Sequence, residues 1–385
     1  MRSRVVLAAC LAVLLLFGPE RPVQPAEESA AHVVGESAAT TPRARRALGV
    51  THVDGKYCLS DSPFLLEGAD AIAELGVQVI KLYLSLNPDG SSLQKYPFHT
   101  DWPPCRTLEE LADSPPFREV FSRPFRVFVL TVYRPGVSAG YWLRGISADQ
   151  EREEQEAIYR IAAYLMRTHR GTGKTFVFQN WEGDWAVRGH FDRNQAPSSE
   201  ALNAMSRWLA ARQRGVEQAR RENSQSDVRV YHAVEVNLLR PTIEQGMPCV
   251  LTHVVPKVRP DLVSYSAWDT QNDPELFRKS LDFIAQYAPD SAAFGKKNVY
   301  VGEFGLPENE HSREQVTQLI RNVVSVSVDW GCPWVIYWQV YCNEARRLSV
   351  RESRDVRGFW LIRPDGSHAW AWDALSQILR SEQTP

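Results

Sequence analysis

The 385-residue chain is 44% hydrophobic and 23% charged, the balance of a soluble globular protein, and its length admits one large domain or two small ones. A net charge of −2 excludes the basic footprint of a nucleic-acid binder and a polybasic membrane patch. At the start, Arg2 and Arg4 precede Val5 to Phe17, an apolar run of 13 residues. That run fits a secretory signal better than a membrane span, which needs about 20 residues. Residues 1–26 are therefore expected to be a signal peptide cut after Ala26, giving a secreted or periplasmic protein. Only about five apolar residues precede Cys10, too few for the lipoprotein box that Leu7-Ala8-Ala9-Cys10 outlines. Residues 27–46 lack apolar periodicity and are expected to form a disordered linker, leaving 47–385 as one domain.

From Leu48 onward, short β-branched runs alternate with longer amphipathic stretches. Strands are expected at 48–53, 77–84, 125–132, 175–181, 228–236, 261–265, 298–304 and 333–340. Several are apolar on both faces, as buried parallel strands are. Between them, Ile158, Ile161, Ala162 and Leu165 mark one helix, and Val316, Leu319, Ile320 and Val323 mark another behind a Ser312/Gln315 capping box. Asp273-Pro274 reads as an N-cap followed by proline at the first helical position, and Ala371 to Leu379 supplies a last helix. Eight β-then-α repeats over roughly 340 residues predict an α/β fold, a single-domain (β/α)8 TIM barrel. An open doubly wound sheet would favour a Gly-rich turn after the first strand, and Val53-Asp54-Gly55-Lys56 has none.

Functional residues of such a barrel sit at the C-terminal ends of its strands. Glu303 ends the apolar run Val299-Tyr300-Val301-Gly302 with glycines on both sides, and an ionised group is rarely buried there without a purpose. Strand 4 ends in Gln179-Asn180-Trp181-Glu182-Gly183-Asp184-Trp185, more polar groups than a structural turn needs. Regular alternation would place Asn180 and Glu182 on one side; a bulge would turn Glu182 away and leave Asp184 or Glu235 to act. His52, Asp54, Lys81, Tyr83, Tyr133, His232, Glu235, Asn237 and Tyr265 complete a polar ring, with Tyr265 expected to donate to Glu303.

These motifs resemble the glycoside hydrolase superfamily whose acid/base follows strand 4 and whose nucleophile follows strand 7. Gly302-Glu303-Phe304-Gly305 is similar to the strand-7 end common in its cellulase family. Trp338 resembles the strand-8 tryptophan beneath the sugar, and Gly358-Phe359-Trp360-Leu361 resembles the end of such a domain. The resemblance implies hydrolysis of O-glycosidic bonds in a poly- or oligosaccharide by a retaining mechanism, with Glu303 as nucleophile and Glu182 as acid/base. The chain departs from the family in reading Asn180-Trp181-Glu182, where the family usually sets Asn beside Glu. Trp181, Trp185, Trp268 and Trp338 are candidate sugar platforms, and two of the four are expected to line the cleft. Asn180, Asp184, His232, Glu235 and Tyr265 are candidate substrate contacts.

The implied partner is carbohydrate alone, bound by a monomer with no nucleic acid, no membrane after signal removal, no metal and no organic cofactor. A non-catalytic carbohydrate-binding barrel would show the same aromatic cleft. A metal-dependent hydrolase would carry His-x-His where this chain has His52-Val53-Asp54, and the 9 histidines form no ligand set. Five cysteines remain after Ala26, with no Cys-x-x-Cys pair. Cys58 and Cys105 fall in neighbouring loops of the barrel and are expected to form a disulfide, worth about 3–4 kcal/mol in the chain-entropy model.

Overall fold

A computed structural model of the chain describes residues 41–86, 92 and 95–380. The expected signal peptide and linker residues 27–40 lie outside that range. Eight parallel strands close a barrel in chain order: β1 (Leu48–Thr51), β2 (Val79–Leu84), β3 (Val127–Val132), β4 (Thr175–Gln179), β5 (Arg229–Val236), β6 (Leu262–Ser266), β7 (Val299–Phe304) and β8 (Val335–Tyr337). Each lies within or beside an expected segment, and β1 pairs with both β2 and β8 to complete the ring. The fold is a (β/α)8 barrel.

The helices form for the reasons legible in the chain. Ile158, Ile161, Ala162 and Leu165 are buried on the Ala148–Thr168 helix. Ser312 and Gln315 exchange capping-box bonds at the start of Arg313–Trp330, and Asp273 accepts from the amides of Glu275 and Leu276 at the start of Pro274–Tyr287. The end of the expected linker is corrected: Thr41–Ala47 is a helix packed on Arg313–Trp330 and Trp370–Arg380. Ala44 and Ala47, three residues apart on one face, are buried there. Among the described residues no helix is long and apolar enough to cross a membrane.

The barrel interior has two levels. Val79, Val129, Val177, Tyr231, Ala233, Leu262, Tyr300 and Ile336 form an apolar cluster separate from the core between sheet and helices. Strand alternation then places Lys81, Gln179, Glu235 and Ser264 on the same inward face, nearer the C-terminal mouth. One irregularity decides the site. Tyr265 pairs with Val301, but Ser266 pairs with Glu303, so Gly302 is an extra residue on β7. Val301 packs outward in the helix-facing core, and regular alternation would send Glu303 the same way. The bulge reverses the phase and turns Glu303 toward the mouth.

Candidate active site

Glu303 is almost fully buried and held by two donors, one from β2 and one from the loop after β6. Lys81 Nζ donates to its Oε1 over 2.8 Å, and Trp268 Nε1 donates to its Oε2 over 3.2 Å. Lys81 also donates to Glu235 Oε1 at 3.1 Å and to the Gly302 carbonyl at 3.2 Å. The ammonium thus spends its three donors on two carboxylates and one carbonyl. Glycine is required at the bulge, because a Cβ on Gly302 would sit 2.0 Å from Ser264 Oγ and 2.8 Å from Glu235 Oε1.

Glu235 is the hub of the interior. Its Oε1 accepts from Lys81 Nζ, from Gln179 Nε2 at 2.9 Å and from Ser264 Oγ at 3.0 Å. Its Oε2 accepts from the main-chain amide of Glu182 at 2.7 Å. Every partner is a donor, and the side chain is fully buried away from any sugar. The expected substrate contact at Glu235 is therefore corrected to a role in building the site.

β4 ends at Gln179, and the chain then leaves regular strand geometry, with Glu182 at φ 24° and ψ 75°. Gly183 follows because a Cβ there would lie 2.4 Å from the Glu235 carbonyl. Tyr133 accepts the Trp181 amide at 3.0 Å from the neighbouring strand's end. In this bend Glu182 keeps its carboxyl at the mouth, where Glu303 is the charged group that acts on it most strongly. Burial, then the charges of Glu303 and Glu235, hold Glu182 well above the usual carboxylate range, with Lys81 opposing. Burial also raises Glu303, to about 7, against the pull of Lys81 and with the push of Glu235. Burial works against the Lys81 charge, but Glu235 and Glu303 outweigh it and raise the ammonium above its ordinary value.

Several expected members stand elsewhere. Asn180 is buried with Oδ1 accepting from the Glu235 amide and Nδ2 reaching the Glu235 carbonyl, which splices the end of β4 onto β5. Asp184 accepts from the amides of Asn237 and Val250 at 2.9 and 2.8 Å, beside Arg188, and burial lifts it to about 6. Asn237 returns a bond to the Asp184 amide. These three pin loops together. His232 faces the outer helices, with Nδ1 on Gln213 Oε1, and burial keeps it well below its ordinary value. Tyr265 also points outward, to Asp269 and Thr270, so Trp268 holds Glu303 in its place. His52 bonds the Phe64 carbonyl through Nε2 at 2.8 Å and burial lowers it to about 4, so the His52-Val53-Asp54 run presents no paired ligands. Asp54 pairs with Lys56.

Of the four tryptophans, Trp268 touches Glu303 directly and packs edge-on against Phe359 at 5.6 Å. Trp181 adjoins Glu182 and is half-buried; Trp185 is half-buried against the exposed ring of Phe191 at 5.6 Å. Trp338 is buried just after β8, its amide donating to the Phe304 carbonyl. Cys58 and Cys105 are free thiols, not a disulfide; Cys105 Sγ turns to the Pro103 carbonyl at 3.3 Å. The reading of the sequence missed Gln179, Ser264 and Tyr300, whose hydroxyl donates to Gln179 Oε1 at 2.6 Å. Their signal was parity: each shares the inward face with Glu235 or Gly302.

No protein-family model matches the chain, and no curated protein matches it. Solved structures do. A glycoside hydrolase 5 lichenase from Caldicellulosiruptor sp. F32, in complex with cellotetraose, matches with a TM-score of 0.51 at 11% identity, over 94% of this chain and 100% of the other. A GH5_18 protein from Streptomyces cattleya, in complex with Manβ1-4GlcNAc, matches with a TM-score of 0.54 at 14% identity, over 88% of this chain and 82% of the other. The exo-β-1,4-mannosidase Op5Man5 from Opitutaceae bacterium strain TAV5 matches at 0.53 and 14%, over 87% of this chain and 59% of that one. The chain shares the fold of these glycoside hydrolases.

Proposed function

We propose that the protein is a glycoside hydrolase that cleaves O-glycosidic bonds of a poly- or oligosaccharide with retention of configuration. The observation that carries this reading is the contrast between two coupled carboxyls at one barrel mouth. Glu303 is held by an ammonium and an indole donor, which favours the carboxylate needed to attack an anomeric carbon. Burial and the Glu303 charge both favour the protonated form of Glu182, as a general acid requires. Glu303 displaces the leaving oxygen as Glu182 protonates it; Glu182 then takes a proton from the water that releases the sugar. Trp268, which donates to Glu303, and Trp181, next to Glu182 in the chain, are the candidate sugar platforms.

The named ligands and activities of the structural neighbours make β-1,4-linked gluco- and manno-oligosaccharides the first substrates to test. The wild type is expected to release sugar with the original anomeric configuration, read by proton NMR before mutarotation. Glu303→Gln is expected to lower kcat by roughly 10³-fold or more. Full activity in that variant would remove Glu303 from the mechanism, and binding without turnover by the wild type would favour a carbohydrate-binding barrel. We also propose that residues 1–26 direct export and that the mature protein acts as a monomer. N-terminal sequencing and sedimentation of the secreted product test both.

A further inference from the structure

We propose that Lys81 and Glu235 form a positioning pair that decides which of Glu182 and Glu303 carries the proton; the inference rests on the hydrolase reading of those two carboxyls. Lys81 Nζ sits between Glu235 Oε1 at 3.1 Å and Glu303 Oε1 at 2.8 Å, with its own side chain and that of Glu235 fully buried. Glu235 in turn holds the Glu182 amide at 2.7 Å. One buried contact chain therefore runs from the general acid's backbone, through Glu235 and Lys81, to the nucleophile.

The charge count shows what the pair does. Three carboxyls share the interior with one ammonium. With Glu235 and Glu303 ionised, Lys81 cancels one charge and the cluster carries −1; ionising Glu182 would make it −2 in a desolvated site. The proton accordingly rests on Glu182, which feels Lys81 only at a distance and meets no cation directly among the described residues. Glu303 keeps the carboxylate because Lys81 and Trp268 both donate to it. The other groups facing the cluster are the phenols Tyr83 from β2, Tyr133 after β3 and Tyr300 from β7, which burial raises and keeps neutral, and Asp184, which is paired beside Arg188 and whose charge adds to the push on Glu182. Gln179 and Ser264 add dipoles but no charge.

Two substitutions of opposite charge separate this role from simple packing. Glu235→Gln removes a negative charge and should move the titrations of both Glu182 and Glu303 to lower pH. Lys81→Met removes a positive charge and should move both to higher pH, Glu303 the further because it loses a direct contact, so the gap between the two narrows or reverses. The shift of Glu303 in Lys81→Met should be about one pH unit or more, as expected for an opposite charge within hydrogen-bond range, and the others, across longer gaps, more than about half a unit. The double variant restores the wild-type charge count and should return both titrations toward their original midpoints.

The readout is carbon NMR of the full-length mature protein labelled at glutamate Cδ, with Glu182→Gln and Glu303→Gln used for assignment and circular dichroism used to confirm folding. Opposite shifts in the two single variants support the proposal. Shifts in the same direction, or of only a few tenths of a pH unit, overturn it. If a single variant does not fold, the wild-type order decides: Glu182 losing its proton above Glu303 supports the proposal, and the reverse order overturns it. Hydrolysis is assayed separately, so a wild type that titrates as proposed but cleaves no glycan counts against the hydrolase reading alone.

Discussion

The main-chain amide of Glu182 donates to Glu235 Oε2 across 2.7 Å, so the proposed general acid is positioned by a carboxylate on the next strand. The same carboxylate accepts from Lys81, whose ammonium holds Glu303. A single side chain of β5 thereby touches the Glu182 main chain directly and reaches Glu303 through Lys81. It also explains two glycines, since Cβ atoms at Gly183 and Gly302 would collide with Glu235 or with the Ser264 that supports it.

The pH dependence of hydrolysis follows from the two raised carboxyls. Glu303 must be ionised to attack, so kcat/KM should rise as pH climbs through about 7. Glu182 must be protonated to assist departure, so kcat/KM should fall once pH rises far enough to take the proton that burial and the Glu303 charge help it keep. The profile is therefore a bell whose acid limb lies well above the ordinary glutamate range, and its limbs belong to the coupled pair. A pH series on one soluble oligosaccharide checks this, and an acid limb near 4.5 would contradict it.

Trp268→Phe keeps a ring against Phe359 but removes the indole donor to Glu303 Oε2. That bond favours the carboxylate, so its loss should move the acid limb to higher pH. We expect kcat to fall roughly 10- to 100-fold, in line with about 1.5–3 kcal/mol for a hydrogen bond to a charged group. Melting temperature should stay close to the wild type. An unshifted acid limb would show that Trp268 serves the sugar and not the carboxylate.

The barrel was legible because buried parallel strands are apolar on both faces, a pattern that needs no tertiary information. Glu303 was legible because a carboxylate flanked by glycines interrupts such a run at its end. Its orientation was not, since the bulge at Gly302 arises from pairing with β6. Asn180 and Asp184 carry the same chemistry as a site residue, yet both serve main-chain groups of β5 and the following loops. Only the register of β4 on β5 shows that. His232 and Tyr265 fall on the outward parity of strands whose phase the sequence leaves open. The Thr41–Ala47 helix escaped notice because two alanines make too faint a stripe.

Stability should depend on a second buried ion pair. Arg212 Nη1 meets Glu154 Oε1 at 3.0 Å between the helices Ala148–Thr168 and Ser199–Glu222, both side chains being inaccessible to solvent. Tyr141 OH donates to the other Glu154 oxygen, and Arg212 reaches the Gln179 carbonyl behind the active site. Glu154→Ala strands the buried Arg212 guanidinium and should cost about 3–5 kcal/mol, whereas Arg212→Ala leaves Glu154 to Arg134 Nε at 3.5 Å and should cost less. Arg212→Met with Glu154→Gln leaves Arg134 to its other partner, Glu153, and should cost less than Glu154→Ala. Urea unfolding of the three proteins measures the difference, and a double variant worse than both singles would refute the account.

Thiol chemistry distinguishes the free cysteines from the disulfide that loop proximity suggested. Cys58 is partly exposed, while Cys105, Cys249, Cys332 and Cys342 are buried. Burial and the nearby Glu67 and Asp61 raise the Cys58 thiol, so its reaction with an aromatic disulfide reagent at pH 8 should be slower than that of a free thiol. The native mature protein is expected to release about one equivalent, abolished by Cys58→Ser, and the buried thiols should follow only in denaturant. A bridge between Cys58 and Cys105 would instead hide both until reduction. The double variant Cys58→Ser/Cys105→Ser sharpens the contrast. It should lose no more than about 1 kcal/mol, whereas breaking a bridge over that loop would cost about 3–4 kcal/mol.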